Sequence, residues 1–232
     1  MPLLLHAPRL RLARVRLAEV LLELEGAERV ALPYPSDLER VLNLYAQGLV
    51  GWRRVVEEAR ERMPGYFRSW LWSEEPLLRA LPLLGAKVRC YMPSSKDYFS
   101  RASELAVLAF RVRVTGKVDI EEWRKLLGSG AAAPPAEHVV VASWPPGGGL
   151  GVDVWRLPYP PSEVLSSSNL SEEAVREYVN YVFTYIVHSK NIDEAYLRWL
   201  EERKGLRVPE LWKLLEMSYR RSKELNSGAE QV

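Results

Sequence analysis

The chain has 232 residues, of which 47% are apolar and 27% are charged. This composition is typical of a folded globular protein and excludes a disordered one. Lys and Arg number 32 against 30 Asp and Glu, so the net charge gives no argument for a nucleic-acid or membrane-surface partner. The single cysteine, Cys90, excludes an internal disulfide bond and a thiolate metal cluster, and we expect it to be a small buried thiol.

The N-terminal residues do not resemble a targeting segment. They contain no basic stretch and only three consecutive leucines, so we expect no signal peptide. No apolar run approaches the ~20 residues that span a bilayer, and we therefore expect a cytoplasmic protein. Asn and Gln are scarce while Arg, Glu and Leu abound, which is a composition found in thermophilic proteins.

The chain opens with a strand and a helix. Residues 3–7 predict a short buried strand, and the helical spacing of leucines over residues 9–25 predicts a helix that ends at Gly26. The alternation of leucine and arginine leaves open an extended strand for the first half of that segment. We interpret its four arginines as a solvated helix face, with an anion-binding patch as the alternative (Arg9, Arg11, Arg14 and Arg16).

A second strand and two helices follow. The strand covers residues 28–32, and we expect the Pro-Tyr-Pro segment at 33–35 to end it. Ser36 and Glu39 have the spacing of a capping box, which predicts a helix from there. Another helix is predicted over residues 50–63.

The third predicted strand, residues 87–92, leads into a polar Pro-Ser-Ser turn and a long helix that ends at Thr115. Ligands of open α/β sheets sit outside the carboxyl ends of the strands, so we expect chemistry at this turn. Before this strand, an aromatic cluster over residues 66–72 precedes a helix that we expect to begin at Ser73.

Valine-rich residues 138–143 form the strongest predicted strand. Val152 and Val154 then alternate with polar residues, which predicts a β-hairpin over residues 139–157 with a wide loop. The glycines of that loop lack the Gly-Lys-Ser/Thr ending of a phosphate-binding loop, and no helix follows them, so we reject such a loop.

Pro- and Ser-rich residues 158–168 mark a boundary. We predict an α/β domain over residues 1–165 and a C-terminal helical extension over residues 166–232. The fold class is α/β, a three-layer αβα arrangement with a small, mostly parallel sheet, a C-terminal β-hairpin and a helical tail. The tail contains predicted helices over residues 171–188, 191–204 and 209–225.

Three short segments resemble the TraB/ChaN/erythromycin-esterase-like superfamily. They are Leu-Leu-Leu-His at 3–6, Val-Ala-Leu-Pro-Tyr-Pro-Ser-Asp at 30–37 and Gly-Ala-Lys-Val-Arg-Cys-Tyr-Met-Pro at 85–93. The resemblance covers roughly residues 3–157 and implies an αβα fold with a site at the strand ends.

The resemblance implies a role for His6, which matches the family histidine. Pro33 or Tyr34 occupies the position of the family glutamate, and Tyr91 or Met92 occupies that of the aspartate after the third strand. The missing carboxylates argue against the hydrolytic or metal-dependent activity of such a site.

Polar residues gather at the predicted strand ends. An acid–base mechanism would use the pair His6 and Asp97. We predict that four further side chains bind the substrate, namely Lys96, Ser95, Tyr34 and Asp37. The alternative is structural, because Ser and Asp are also the preferred residues at helix starts.

We predict a degenerate, non-catalytic α/β module that acts by binding a protein partner or a small anionic ligand, with neither a cofactor nor a metal ion and with no membrane association. Two alternatives stay open. One is a hydrolase-like enzyme acting on a small anionic substrate at the strand-end cleft. The other is a nucleic-acid-associated protein that uses basic helices, whose affinity would fall steeply with salt.

Overall fold

The computed structural model describes residues 3–25, 27–128, 139–146, 151–166 and 168–228, with side chains as far as residue 220. The strands are β1 (Leu4–His6), β2 (Arg29–Pro35), β3 (Lys87–Met92), β4 (Val139–Ala142) and β5 (Val152–Asp153). The helices are α1 (Arg11–Glu23), α2 (Glu39–Ala46), α3 (Trp52–Arg62), α4 (Phe67–Leu84), α5 (Ser95–Thr115), α6 (Ile120–Gly128), α7 (Pro161–Val164), α8 (Glu172–Asn180), α9 (Ile192–Lys204) and α10 (Pro209–Gly228). A 3₁₀ turn, Ser36–Leu38, precedes α2, and a π-helical segment, Tyr181–Ile186, continues α8.

The five strands form one parallel sheet in the order β3-β2-β4-β1-β5. Its central strands β1, β2 and β4 are almost entirely buried and are rich in Leu, Val and Ala, as expected for a parallel sheet covered on both faces. The α/β class and the parallel sheet are therefore confirmed.

The predicted hairpin over residues 139–157 is wrong. β4 and β5 lie on opposite sides of β1, and both run parallel to it, so they do not contact each other as a hairpin would. The main-chain N–H of Val154 donates to the carbonyl of His6 at 2.9 Å. Alternation identified strand-forming residues here, but it carries no information about which strand is the partner or in which direction it runs. Residue 138, the first of the predicted strand, lies outside the described residues.

The end of β2 and the start of α4 differ from the predicted boundaries. β2 continues through the Pro-Tyr-Pro segment to Pro35, because the register between β2 and β3 shifts after Leu32 and accommodates the missing proline donors. Helix α4 begins at Phe67 instead of Ser73 and takes in most of the aromatic cluster. Propensity alone did not reveal that these aromatic residues are helical.

The interpretation of the arginine run as a solvated helix face is wrong. Arg11 and Arg14 are buried, Arg9 is half-buried, and only Arg16 is exposed. The reason is that α1 packs along α4, which supplies carboxylates to the arginines; Nη1 of Arg11 lies 2.9 Å from Oε2 of Glu75. The alternative of a strand over the first half of this segment is excluded too, since α1 begins at Arg11.

Side chains of α2 occupy the outer edge of β3, the last strand on that side of the sheet. Asn43 donates from Nδ2 to the carbonyl of Val88 at 2.7 Å and accepts from its N–H at 2.8 Å. Glu39 accepts from the N–H of Cys90 at 2.8 Å. The main-chain groups of this edge are thus paired with side chains in place of another strand.

The C-terminal helices share a core with the sheet. Tyr196, Trp199 and Leu200 of α9 are buried in the same apolar cluster as the residues of β1, β2 and α1. Helix α8 instead packs with α5 and α6 around Trp123 in a second cluster. The division of the chain near residue 165 stays a prediction. Among the helices of the described residues, none combines the length and the apolar character needed to cross a membrane.

A buried carboxylate on α9 caps helix α1. Asp193 accepts from the N–H groups of Arg11 and Leu12 at 3.2 and 3.0 Å and from Nε1 of Trp72 at 2.9 Å. These contacts satisfy free donors at the start of α1 and join three helices at one point.

We expect Asp193→Ala to lower the free energy of unfolding by about 3 kcal/mol, because it leaves three buried donors without an acceptor. Urea denaturation measures the change. Asp119→Ala is the matched control, since Asp119 also caps a helix but is exposed and should cost only about 1 kcal/mol. Equal losses for the two variants would contradict a special role for the buried cap.

Candidate functional site

The carboxyl ends of β2 and β4 are neighbours, but the chain leaves them in opposite directions. From β2 it continues to β3 at one edge of the sheet, and from β4 it continues to β5 at the other. In open α/β sheets such a reversal creates the crevice in which ligands bind. We call this place, bounded by Arg9, Pro33, Tyr34 and Ser143, the strand-end crevice.

Arg9, three residues after β1, reaches across the strand-end crevice. Its Nε donates to Oγ of Ser143 at 3.1 Å, and its Nη2 donates to the carbonyl of Pro33 at 3.1 Å. Its Nη1 donates to the hydroxyl of Tyr98 in the first turn of α5. The residue as a whole is half-buried, and all three acceptors of its guanidinium are neutral.

An ion pair lies beneath Arg9. Nε of Arg14 is 2.7 Å from Oε2 of Glu74, its Nη2 is 3.3 Å from Oε1, and both side chains are essentially inaccessible to solvent. The hydroxyl of Tyr34 donates to Oε2 of Glu74 at 2.8 Å. Arg14 also donates to the carbonyl of Ala7 and to Ser143, so the pair connects α1 and α4 with the ends of three strands.

The ion pair fixes the protonation states around it. Burial opposes the charge of Arg14, but the charge and hydrogen bond of Glu74 together with the nearby Tyr34 outweigh this effect and raise the pKa of Arg14. Burial, together with the same carboxylate, raises the pKa of Tyr34 well above its ordinary value. Tyr34 therefore remains a neutral hydroxyl that donates to Glu74.

A second carboxylate reaches the crevice from α7. Glu163 is half-buried and accepts a hydrogen bond from the main-chain N–H of Arg9. Burial raises the pKa of Glu163, although the charges of Arg9 and Arg14 act in the opposite direction. A carboxyl group with a raised pKa beside a cationic side chain is a common feature of functional sites.

The side chain of His6 is buried and enclosed by neighbouring residues. The ring is 2% exposed, and its Nδ1–H donates to the carbonyl of Trp144 at 2.8 Å. On its other side lies Gly151, where an added Cβ would come within 2.5 Å of Nε2. Only glycine fits there. Within the described residues, the hydrogen bond of His6 goes to a main-chain carbonyl, and none joins it to Asp97.

Asp97 and Lys96 lie in the first turn of α5. Asp97 accepts from the hydroxyl of Ser94 at 2.7 Å, and that hydroxyl in turn accepts from the N–H of Asp97 at 3.3 Å. This is the geometry of a helix N-cap. Lys96 is exposed beside it.

Asp37 and Ser95 bind each other. The hydroxyl of Ser95 donates to Oδ1 of Asp37 at 2.8 Å, and the N–H of Ser95 donates to both carboxylate oxygens at 3.2 Å. Asp37 also borders a separate cleft of about 230 Å³ whose rim includes Arg40 and Arg62. Of the six predicted site residues, Tyr34 lies in the strand-end crevice itself.

Sequence reasoning missed Arg14, Glu74 and Glu163 as site residues. Two of them left a signal. Arg14 takes a place in the helical series Leu10, Leu17 and Leu21, and Glu74 does so in the series Leu77, Leu78 and Leu81. A charged residue on the apolar face of a helix indicates a buried partner. Glu163 follows a proline-rich segment and left no comparable signal.

Among the described residues, no group of three or more His, Cys, Asp or Glu side chains is arranged to hold a metal ion. Comparison of the chain with protein-family models, with curated proteins and with solved structures found no match. Function is therefore inferred from the geometry of the strand-end crevice.

We expect Glu74→Leu to lower the free energy of unfolding by about 3–5 kcal/mol, because it leaves the Arg14 charge buried without a partner. The double variant Arg14→Met/Glu74→Leu should cost much less, since it removes both charges. Urea denaturation of the single and double variants measures this difference. A double variant as unstable as the sum of the two single variants would show no coupling between Arg14 and Glu74 and would contradict the prediction.

The raised pKa of Glu163 predicts a pH-dependent stability. The folded protein holds this proton more tightly than the unfolded chain does, so the free energy of unfolding should fall as the pH rises from the ordinary glutamate range through the raised value. Glu163→Gln should remove this part of the fall, as seen in the difference between the variant and wild-type profiles from pH 4 to about 7. The exposed Glu61→Gln variant is the control, and an identical wild-type and Glu163→Gln profile would contradict the prediction.

Proposed function

We propose that the protein is a non-catalytic α/β module that binds a small anionic ligand in the strand-end crevice, with Arg9 as the main recognition residue. The observation that carries the proposal is the environment of the Arg9 guanidinium. The guanidinium lies at the reversal point of the sheet, is held by three neutral acceptors and belongs to a half-buried residue.

The charge distribution supports an anion at this position. Arg14 is neutralised by two contacts with Glu74, whereas the carboxylate of Glu163 bonds the main-chain N–H of Arg9. Three of the five N–H donors of Arg9 bond neutral acceptors, so two remain for a planar anion. Burial opposes the charge of Arg9, but the nearby Tyr98, Glu163 and Glu74 raise its pKa. Arginine binds carboxylate and phosphate oxygens through two parallel donors, which gives both affinity and orientation.

Lys96 adds a second positive charge on the α5 side. Tyr98, the residue that accepts from Nη1 of Arg9, lies two positions further along the same helix. Lys96 is exposed, and we include its ammonium group as a second contact for the anion.

The absence of a described acid–base pair involving His6 favours binding over catalysis. General acid–base chemistry needs a titratable group within hydrogen-bond reach of the reacting atom. In the described residues, the ring of His6 is enclosed between Trp144 and Gly151.

A second candidate is a hydrolase-like enzyme acting on a small anionic substrate. One observation favours it, namely the raised pKa of Glu163 beside Arg9. Glu163 would act as the general base, with Arg9 holding the substrate anion. Turnover of p-nitrophenyl phosphate that is lost in Glu163→Gln, while phosphate binding is kept, would favour this candidate over the binding module.

The nucleic-acid alternative receives no support from the arginine run. Arg11 and Arg14 are buried and paired with carboxylates of α4 within the chain, so they are not available to a phosphate backbone.

Isothermal titration with inorganic phosphate tests the proposal. We expect Arg9→Ala to weaken binding by about tenfold or more, since it removes a charge-assisted hydrogen bond of about 1.5 kcal/mol. Arg9→Lys should recover only part of the affinity, because it keeps the charge but not the two parallel donors. Circular dichroism verifies that each variant is folded.

Two control variants locate the site. Arg16→Ala, an exposed residue of α1, should leave phosphate binding unchanged. Arg40→Ala removes a charge from the separate cleft beside Asp37. If phosphate binding is lost in Arg40→Ala and kept in Arg9→Ala, the proposed site is wrong.

A further inference from the structure

Helix α5 exposes an apolar stripe in its C-terminal half. Val107, Phe110 and Val114 are 59%, 60% and 66% exposed. Residues such as Leu108 and Val112 on the opposite face of α5 already form its contact with α6 and α8. The exposed stripe is therefore a second apolar face of the same helix, which packing within the described chain does not explain.

The stripe continues onto the segment that follows α8. The rings of Phe110 and Phe183 are 6.3 Å apart, and Arg176 donates to the carbonyl of Gly116 at 2.8 Å. These two contacts show that α8 runs antiparallel to α5. Val187, four residues beyond Phe183, is 60% exposed and extends the apolar surface in that direction. Contiguous exposed apolar surface of this kind marks an interaction site.

The spacing of the stripe identifies the shape of its partner. Positions 100, 103, 107, 110 and 114 of α5 alternate between intervals of three and four residues. This is the seam of a helix that packs lengthwise on another helix. Serines occupy the first two positions, of which Ser103 shares a hydrogen bond with Tyr66 of its own chain, and apolar residues occupy the last three.

The charges beside the seam fit a second copy of this chain. Glu104 and Arg111 are exposed and flank the same side of the seam, seven residues apart. In two antiparallel copies related by a two-fold axis, that side of one helix faces the same side of the other. When Val107 of each copy lies against Phe110 of the other, Glu104 of each lies beside Arg111 of the other.

We propose that two copies of the protein associate through an antiparallel pair of α5 helices, with Val107 and Phe110 at the centre, Val114 of each copy against Ser103 of the other, and two symmetric Glu104–Arg111 ion pairs at the side. Arg113, on the opposite side of the seam, then lies beside Ala106 of the second copy and meets no like charge. Arg111 also contacts Glu122 of its own chain at 2.5 Å, and its further donors are able to bind Glu104 of the other copy. The interface is isologous and closes as a dimer.

Sedimentation velocity over a range of concentrations tests the proposal with the full chain. We expect the wild type to dimerise and Phe110→Asp to be monomeric, with a circular dichroism spectrum like that of the wild type because Phe110 is exposed. Leu83→Asp is the matched control, since Leu83 is a 75% exposed leucine on α4, and it should remain dimeric. A monomeric wild type, or a Phe110→Asp variant that still dimerises, would overturn the proposal.

Charge-reversal variants test whether the partner that binds the stripe is a second copy of this chain or another molecule. Glu104→Arg places arginine against arginine in its own dimer, and Arg111→Glu places glutamate against glutamate, so each variant alone should dimerise roughly tenfold more weakly than the wild type. Mixed together, the two variants form a heterodimer in which both ion pairs are restored, one with the wild-type polarity and one with its charges exchanged. Recovery of the dimer in the mixture supports the antiparallel pairing, and a mixture no stronger than its components overturns it.

Discussion

The buried ion pair between Arg14 and Glu74 determines how the layers of this protein meet. A guanidinium and a carboxylate removed from water need each other at a fixed distance, and an unpaired charge in this position would cost several kcal/mol. The pair therefore sets the position of α1 against α4. Through the hydroxyls of Tyr34 and Ser143 it also fixes both helices to the ends of β2 and β4. Apolar packing alone would tolerate small shifts between these elements, whereas this geometry does not.

The same constraint shapes the surface above it. Because Arg14 uses Glu74, the neighbouring Arg9 extends across the reversal point of the sheet and bonds neutral groups. Asp193 acts in a similar way at the start of α1, where one carboxylate joins α1, α4 and α9. Two buried carboxylates from distant parts of the chain thus hold the first helix, and Arg9 lies two residues before the start of that helix.

Periodicity predicted much of the fold because it reports burial, and burial is a property of single elements. The parallel sheet and helices such as α5 and α9 follow from patterns of three to four residues or from short apolar runs. The pairing of β5 with β1 did not follow, since residues 5 and 152 meet only in the folded chain. Pro33 and Pro35 were expected to end β2, but a register shift that depends on the neighbouring strand accommodates them.

The candidate site was less predictable for a related reason. The sequence places Tyr34 at the end of a strand and shows no carboxylate there, but Glu74 supplies one from a helix forty residues away. A helical plot of α1 or α4 could have identified a charge among leucines, without identifying its partner. The serines and aspartates at the start of α5 act locally as helix caps, which is the alternative that their residue types had left open.

The side chains of α2 at the outer edge of β3 have a consequence for the protein in a crowded cell. An open strand edge can accept a strand from another chain, which leads to aggregation or to the extension of a sheet across molecules. Asn43 bonds the N–H and the carbonyl of Val88, as a neighbouring strand would, and Glu39 accepts from the N–H of Cys90, the next donor along this edge. The sheet therefore cannot grow on this side without displacing hydrogen bonds that already exist. Protection against intermolecular β-pairing is thus provided by two polar residues of one short helix.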